Sequence, residues 1–157
     1  MKTVILCGGK GTRLAPFTYV LPKPMMPIGD KAILEILLQQ LRRYGFTDIV
    51  LAVGYLASLM KAYFKDGQQY ELNITYSNEL EPLGTAGPLS LIPGLDETFL
   101  VCNGDVLTTL NFYDFVNFHK EQGGILTIAM HRRQVQIDLG IIEQDDGDNI
   151  ITGDVDK

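Results

Sequence analysis

The run Val4-Ile5-Leu6 is apolar at three consecutive positions and stops at Gly8-Gly9. Side chains alternate between the faces of a strand, so a run with no polar position needs cover on both sides, as in a parallel sheet lined by helices. The next segments repeat that demand. Residues 32–44 set Ile33, Ile36, Leu37, Leu41 and Tyr44 at helical spacing and end at Gly45, a helix-stopping residue. Residues 48–53 read as a second strand and 56–64 as a short helix. Residues 71–76 and 99–102 read as further strands with a short helix over 85–91 between them, and Asn111 is placed to cap a helix running through Glu121. Strands over 125–131, 140–143 and 150–152 follow with no helix-length gap between them. The expected fold is α/β: a Rossmann-like, mostly parallel sheet with helices on both faces and mixed strands near the C-terminus. A chain of 157 residues, 46% hydrophobic, is enough for a single domain over 1–157 with its own core.

Charge narrows the partners. The formal charge of −6 disfavours a nucleic-acid polymer or an anionic membrane surface. The distribution is uneven: residues 1–31 carry a net +4 and the other 126 a net −10, so the N-terminal segment is suited to receive a compact anion. The apolar start is too short for a signal-peptide core, and a cytoplasmic address is expected. Cys7 and Cys102 sit in apolar strand-like runs and read as reduced, buried thiols.

The longest irregular segment lies between Gly8 and Lys31 and contains Pro16, Pro22, Pro24 and Pro27. Loops this long inside a compact domain are usually functional. Gly8-Gly9-Lys10-Gly11-Thr12-Arg13-Leu14 follows the first strand directly, at the carboxyl edge where open parallel sheets bind ligands. Three glycines allow close approach of backbone N–H groups, Thr12 adds a hydroxyl, and Lys10 and Arg13 add charge, which together read as a phosphate cradle. A plain tight turn is the alternative. The segment is neither the Walker pattern nor the dinucleotide fingerprint, because Leu14 stands where a third spaced glycine would be. Further along, Pro22-Lys23-Pro24 restricts where one ammonium can reach.

These motifs, with Pro22-Lys23-Pro24-Met25 and Pro27, then Glu81-Pro82-Leu83-Gly84-Thr85-Ala86-Gly87 and Asn103-Gly104-Asp105-Val106, resemble the sugar-1-phosphate nucleotidylyltransferases, or NDP-sugar pyrophosphorylases. The resemblance implies transfer of a nucleoside monophosphate from a nucleoside triphosphate to a sugar 1-phosphate. It places Gly8, Gly9, Gly11 and Thr12 against the nucleotide, Arg13 on the departing phosphates and Lys23 near the α-phosphate. Asp105 would hold Mg²⁺, with an Asx-turn as the bland alternative. Gly84 and Thr85 would lie against the base, and Glu81 offers acceptors for the paired N–H donors of guanine. This region is similar to the mannose-1-phosphate guanylyltransferase branch. Gly140 would present backbone to the sugar, and Asp156-Lys157 resembles a sugar-phosphate-binding pair with aspartate in place of glutamate. Members of this family continue well past such a point, so the chain is expected to be the N-terminal part of a longer protein, to bind nucleotide and to transfer slowly. A homo-oligomer is left open. A nucleotide- or sugar-nucleotide-binding regulatory module without turnover is the competing reading. His119, His131 and the acidic stretch 143–148 match no motif and read as surface.

Overall fold

The computed structural model describes residues 1–81 and 83–134, and the strand backbones over 141–144 and 151–155. Contacts group residues 1–126 into one compact unit and 127–157 into a second. The first unit is built on four parallel strands, β1 (Lys2–Cys7), β4 (Asp48–Val53), β5 (Asn73–Asn78) and β6 (Leu100–Asn103), in the order β5-β4-β1-β6. Registers run Val4 beside Val50 and Val101, and Ile49 beside Ile74.

The uninterrupted apolar strands are explained by their two covers. Ile5, Ile49, Leu51 and Val53 pack under α1 (Ile33–Arg43), α2 (Ala57–Phe64) and α3 (Phe112–Gln122), whose buried residues belong to the same cluster. Val4, Val50 and Ala52 face the other way, onto Ile92 and the partly buried Leu89, Leu95 and Phe99. That second cover is thinner: the helix expected over 85–91 is a five-residue 3₁₀ turn, Gly87–Leu91, with Pro88 in its first turn. Five residues starting at glycine and proline are too few to offset the cost of starting an α-helix.

In α1 the buried ridge is Leu34, Leu37, Leu38 and Leu41, spaced i, i+3, i+4 and i+7. Leu37 and Leu41 were expected there. Ile33 and Ile36 flank the ridge, because a four-leucine stripe presents more continuous apolar surface to the sheet than the mixed Ile-Tyr face. Gly45 takes φ +82° after the helix, and the N–H of Phe46 returns to the Leu41 carbonyl at 3.0 Å. At the start of α3, Asn111 Oδ1 accepts from the N–H groups of Tyr113 and Asp114 at 3.1 and 3.2 Å, the cap its position implied.

One strand start and one expected strand depart most from expectation. β5 begins two residues late because a 3₁₀ turn, Gln68–Tyr70, runs into Glu71 at φ +56°, a conformation no strand residue holds. Residues 125–131 form no strand, and Ile125, Leu126, Ile128 and Met130 stand exposed. In the second unit β7 (Ile141–Gln144) and β8 (Ile151–Val155) pair antiparallel, as the mixed C-terminal strands were expected to do.

The long loop after β1 is ordered by local turns. Three 3₁₀ turns, Thr12–Leu14, Phe17–Tyr19 and Lys23–Met25, are followed by a two-residue antiparallel ladder of β2 (Pro27–Ile28) with β3 (Lys31–Ala32).

Candidate functional site

The chain leaves all four parallel strands at one edge, and the departing loops enclose a cleft of about 910 Å³. Its walls come from the glycine segment after β1, from Gly54 and Tyr55 after β4, from Glu79, Leu80, Glu81, Gly84 and Thr85 after β5, and from Asp105 after β6. β1 and β6 flank the point where strand order reverses, the usual crevice of open α/β sheets.

The three glycines of the first segment do different work. Gly11 holds φ +62°, and a Cβ there would lie 2.9 Å from Cγ2 of the buried Thr18, whose hydroxyl donates to the Gly11 carbonyl at 3.1 Å. A Cβ on Gly8 would come within 2.5 Å of Glu79 Oε2. A Cβ on Gly9 would meet nothing within 4 Å, so this position faces open space in the cleft. Gly11 is therefore required by the protein's own backbone and packing, a side chain at Gly8 would displace the Glu79 carboxylate, and Gly9 leaves room for an approaching group.

Lys23 and Asp105 meet as an ion pair across this space, with side chains 41% and 27% exposed. Asp105 stands on a turn fixed by the Gly104 N–H, which donates to the Leu6 carbonyl at 3.0 Å. Lys23 opens a turn whose Pro24 and Met25 are buried. Arg13 and Lys10 line the same cleft. Burial and then the charge of Asp105 push up the thiol of Cys7, which lines the cleft, and in the neighbouring strand β6 burial alone pushes Cys102 up to about 12. Both cysteines are protonated thiols at neutral pH, in line with their assignment to no chemistry.

A concave site at a sheet edge, with Lys10, Arg13 and Lys23 beside exposed glycine backbone and the carboxylates Glu79, Glu81 and Asp105 on the same walls, suits a phosphorylated ligand that arrives with a cation. Residues 2–153 match the nucleotidyl transferase family. The chain belongs to that family. A UTP–glucose-1-phosphate uridylyltransferase from Synechocystis is 39% identical, the match covering 97% of this chain and 43% of the relative. A mannose-1-phosphate guanyltransferase from Schizosaccharomyces pombe is 42% identical over 90% of this chain and 40% of its own. Among solved structures, HddC from Yersinia pseudotuberculosis complexed with GMP-PN is similar at a TM-score of 0.67 and 32% identity, covering 75% of this chain and 53% of that one. The chain thus spans less than half the length of either sequence relative.

Of the residues singled out in this nucleotidyl transferase, Gly8, Gly9, Gly11, Arg13, Lys23, Glu81, Gly84, Thr85 and Asp105 all lie on the cleft. Thr12 does not line it: it is exposed and opens the turn Thr12–Leu14, where its carbonyl accepts the Ala15 N–H at 3.2 Å. Gly140, Asp156 and Lys157 lie outside the described residues. Two residues went unnoticed. Glu79 Oε1 accepts the N–H of Leu83, tying the small-residue segment to the sheet edge, while Oε2 rests against Gly8. Tyr55 donates its hydroxyl to the Tyr19 carbonyl at 3.3 Å and so spans from β4 to the far part of the long loop. The signal for Glu79 was positional: with β5 ending at Asn78, it is the first residue beyond the strand.

Proposed function

We propose that this nucleotidyl transferase cleft joins a nucleoside triphosphate to a sugar 1-phosphate, giving a nucleoside diphosphate sugar and pyrophosphate. The observation that carries the reading is the convergence of Arg13, Lys23 and Asp105 on the open backbone at Gly9 within one cleft. The names of the uridylyl- and guanyl-transferring relatives support it. An oxygen of the sugar phosphate attacks the α-phosphorus. The new P–O bond forms as the bond to the β-phosphate bridge breaks, and pyrophosphate leaves with that electron pair. The nucleophile is already an anion, so no general base is required, and positioning with charge stabilisation supplies the catalysis. Arg13 presents a planar fork to the departing phosphates, and Lys23 brings a compact charge to the α-phosphate. Glu79, by holding Leu83 in place, orients the small-residue wall formed by Gly84 and Thr85, against which a base fits.

Among the described residues no three of His, Cys, Asp and Glu are grouped to cage a metal. A single carboxylate that already attracts the Lys23 ammonium fits a Mg²⁺ ion carried in on phosphate oxygens, and Asp105 would be its protein ligand. When bound, that ion neutralises charge on the phosphates. Guanine is the base favoured by the carboxylates Glu79 and Glu81 on the cleft wall, both acceptors for its N–H edge. Among the described residues no helix is long and apolar enough to cross a membrane, and we place the enzyme in the cytoplasm. The test is incubation with Mg²⁺ and GTP, UTP or dTTP, each with mannose 1-phosphate or glucose 1-phosphate. Formation of a nucleoside diphosphate sugar that disappears in Lys23→Ala supports the reading. Nucleotide binding with no product from any pair would instead describe a binding module.

A further inference from the structure

The Lys23–Asp105 ion pair joins two groups whose backbones are held by other means. Pro22 and the buried Pro24 fix the chain on either side of Lys23, and the Gly104–Leu6 hydrogen bond fixes the turn before Asp105. Neither anchor uses the charged atoms, so the two side chains can change partners without moving the loops that carry them. At 41% and 27% exposure, both are open to water and to incoming ions. The other charged groups on the cleft are the cations Lys10 and Arg13 and the carboxylates Glu79 and Glu81, and Glu79 is engaged with Leu83. If the proposed function holds, on which this inference rests, a phosphate group requires Lys23 and a phosphate-bound cation requires Asp105. Those are the two groups that satisfy each other here.

We propose that the Lys23–Asp105 pair is an exchangeable mask, which parts when an anion and a cation arrive together and penalises either one arriving alone. An anion that takes Lys23 releases the Asp105 carboxylate for a cation, and a cation on Asp105 releases the ammonium for a phosphate. Because linkage is reciprocal, each ligand strengthens the other by the same factor. A half-exposed pair is weak, which sets the mask at about two- to fivefold in affinity on each side. That is small enough to part readily and large enough to favour the magnesium-bound nucleotide over a free polyphosphate. A free polyphosphate is disfavoured twice: it breaks the pair and then meets an unpaired carboxylate.

Repulsion by Asp105 alone would also weaken free polyphosphate, so the test must separate the two effects. Metal-free pyrophosphate, kept so with a chelator, is titrated calorimetrically into the wild-type chain, Lys23→Met, Asp105→Asn and the double variant, with thermal unfolding followed on each. The expected result is that Asp105→Asn tightens pyrophosphate about two- to fivefold more when Lys23 is present than when it is methionine. In parallel, Mn²⁺ alone binds Lys23→Met more tightly than wild type, and Asp105→Asn removes that gain. An equal gain from Asp105→Asn in both backgrounds, or a loss, overturns the mask; if Lys23→Met still weakens pyrophosphate, the proposed function stands. Pyrophosphate binding indifferent to Lys23 overturns both.

Discussion

The loops after β1 and β5 form facing walls of the cleft, and they are built on opposite plans. In the loop after β1 the architecture is carried by turns, prolines and the Thr18–Gly11 hydrogen bond, while Arg13 and Lys23 take no part in holding it up. In the loop after β5 one carboxylate does both jobs: Glu79 fixes Leu83 and lies against Gly8 with an oxygen on the cleft wall. Chemistry is separable from scaffold in the first loop and fused to it in the second. Substitutions in the two should therefore fail in different ways.

The largest effect is expected in the first loop. Arg13→Ala and Lys23→Ala lower the rate of nucleoside diphosphate sugar formation by about 10²–10³, while thermal unfolding stays within about 0.5 kcal/mol of wild type. A parallel loss of stability would show that this loop, too, fuses the two roles. The plan sharpens within the glycine segment itself. Gly11→Ala costs about 1–3 kcal/mol, because it forces alanine to φ +62° and a methyl group to 2.9 Å from Thr18. Gly9→Ala leaves the urea midpoint unchanged and weakens nucleotide binding instead. In the second loop, Glu79→Ala weakens nucleotide binding by about three- to tenfold and speeds hydrogen exchange at the Leu83 amide, whereas Glu79→Gln, still an acceptor, keeps most of both. If the two variants match, the carboxylate charge rather than the Leu83 bond is what matters.

The smallest effect bears on the sheet under both loops. Cys102, Tyr70 and Tyr76 are each held as neutral acids, pushed up to about 12 chiefly by burial. Their unfolded values are lower, roughly 8.5 for the thiol and 10 for the phenols. The stability they lend is complete below about pH 8.5 and is lost as pH rises toward 12. The urea midpoint is thus expected to fall modestly between pH 8 and pH 11, with hydrogen exchange in the two loops rising together.

What could be read from residue order alone followed the same division. Periodicity and punctuation located β1, α1, β4 and α3, because Gly45 and Asn111 act through local backbone geometry that a sequence displays. The cleft was legible through Gly9, Arg13 and Asp105, each close behind a recognisable strand, and through Lys23, marked by the prolines on either side of it. The leucine ridge of α1 was read one position off, since which stripe of an apolar-rich helix turns inward is decided by the sheet it meets. β5 starts later than expected because Glu71 takes a left-handed conformation that its residue type does not advertise, and with the strand read as ending at Tyr76 rather than Asn78, Glu79 was lost. Residues 125–131 have the composition of a strand, but a strand exists only where a partner supplies a ladder.

The placement of β1 has a consequence for how the molecule comes into being. It is synthesised before β4 and β6 and lies between them, so Val4 waits for Val50 on one side and Val101 on the other. At about 5–20 residues per second, a ribosome needs roughly 5–20 s to deliver β6 after β1 has been made. Asp105 emerges just behind β6. A nascent chain therefore carries the glycine-rich loop after β1 without the Asp105 carboxylate until β6 has been made, and the cleft takes shape only as the last neighbour of β1 arrives.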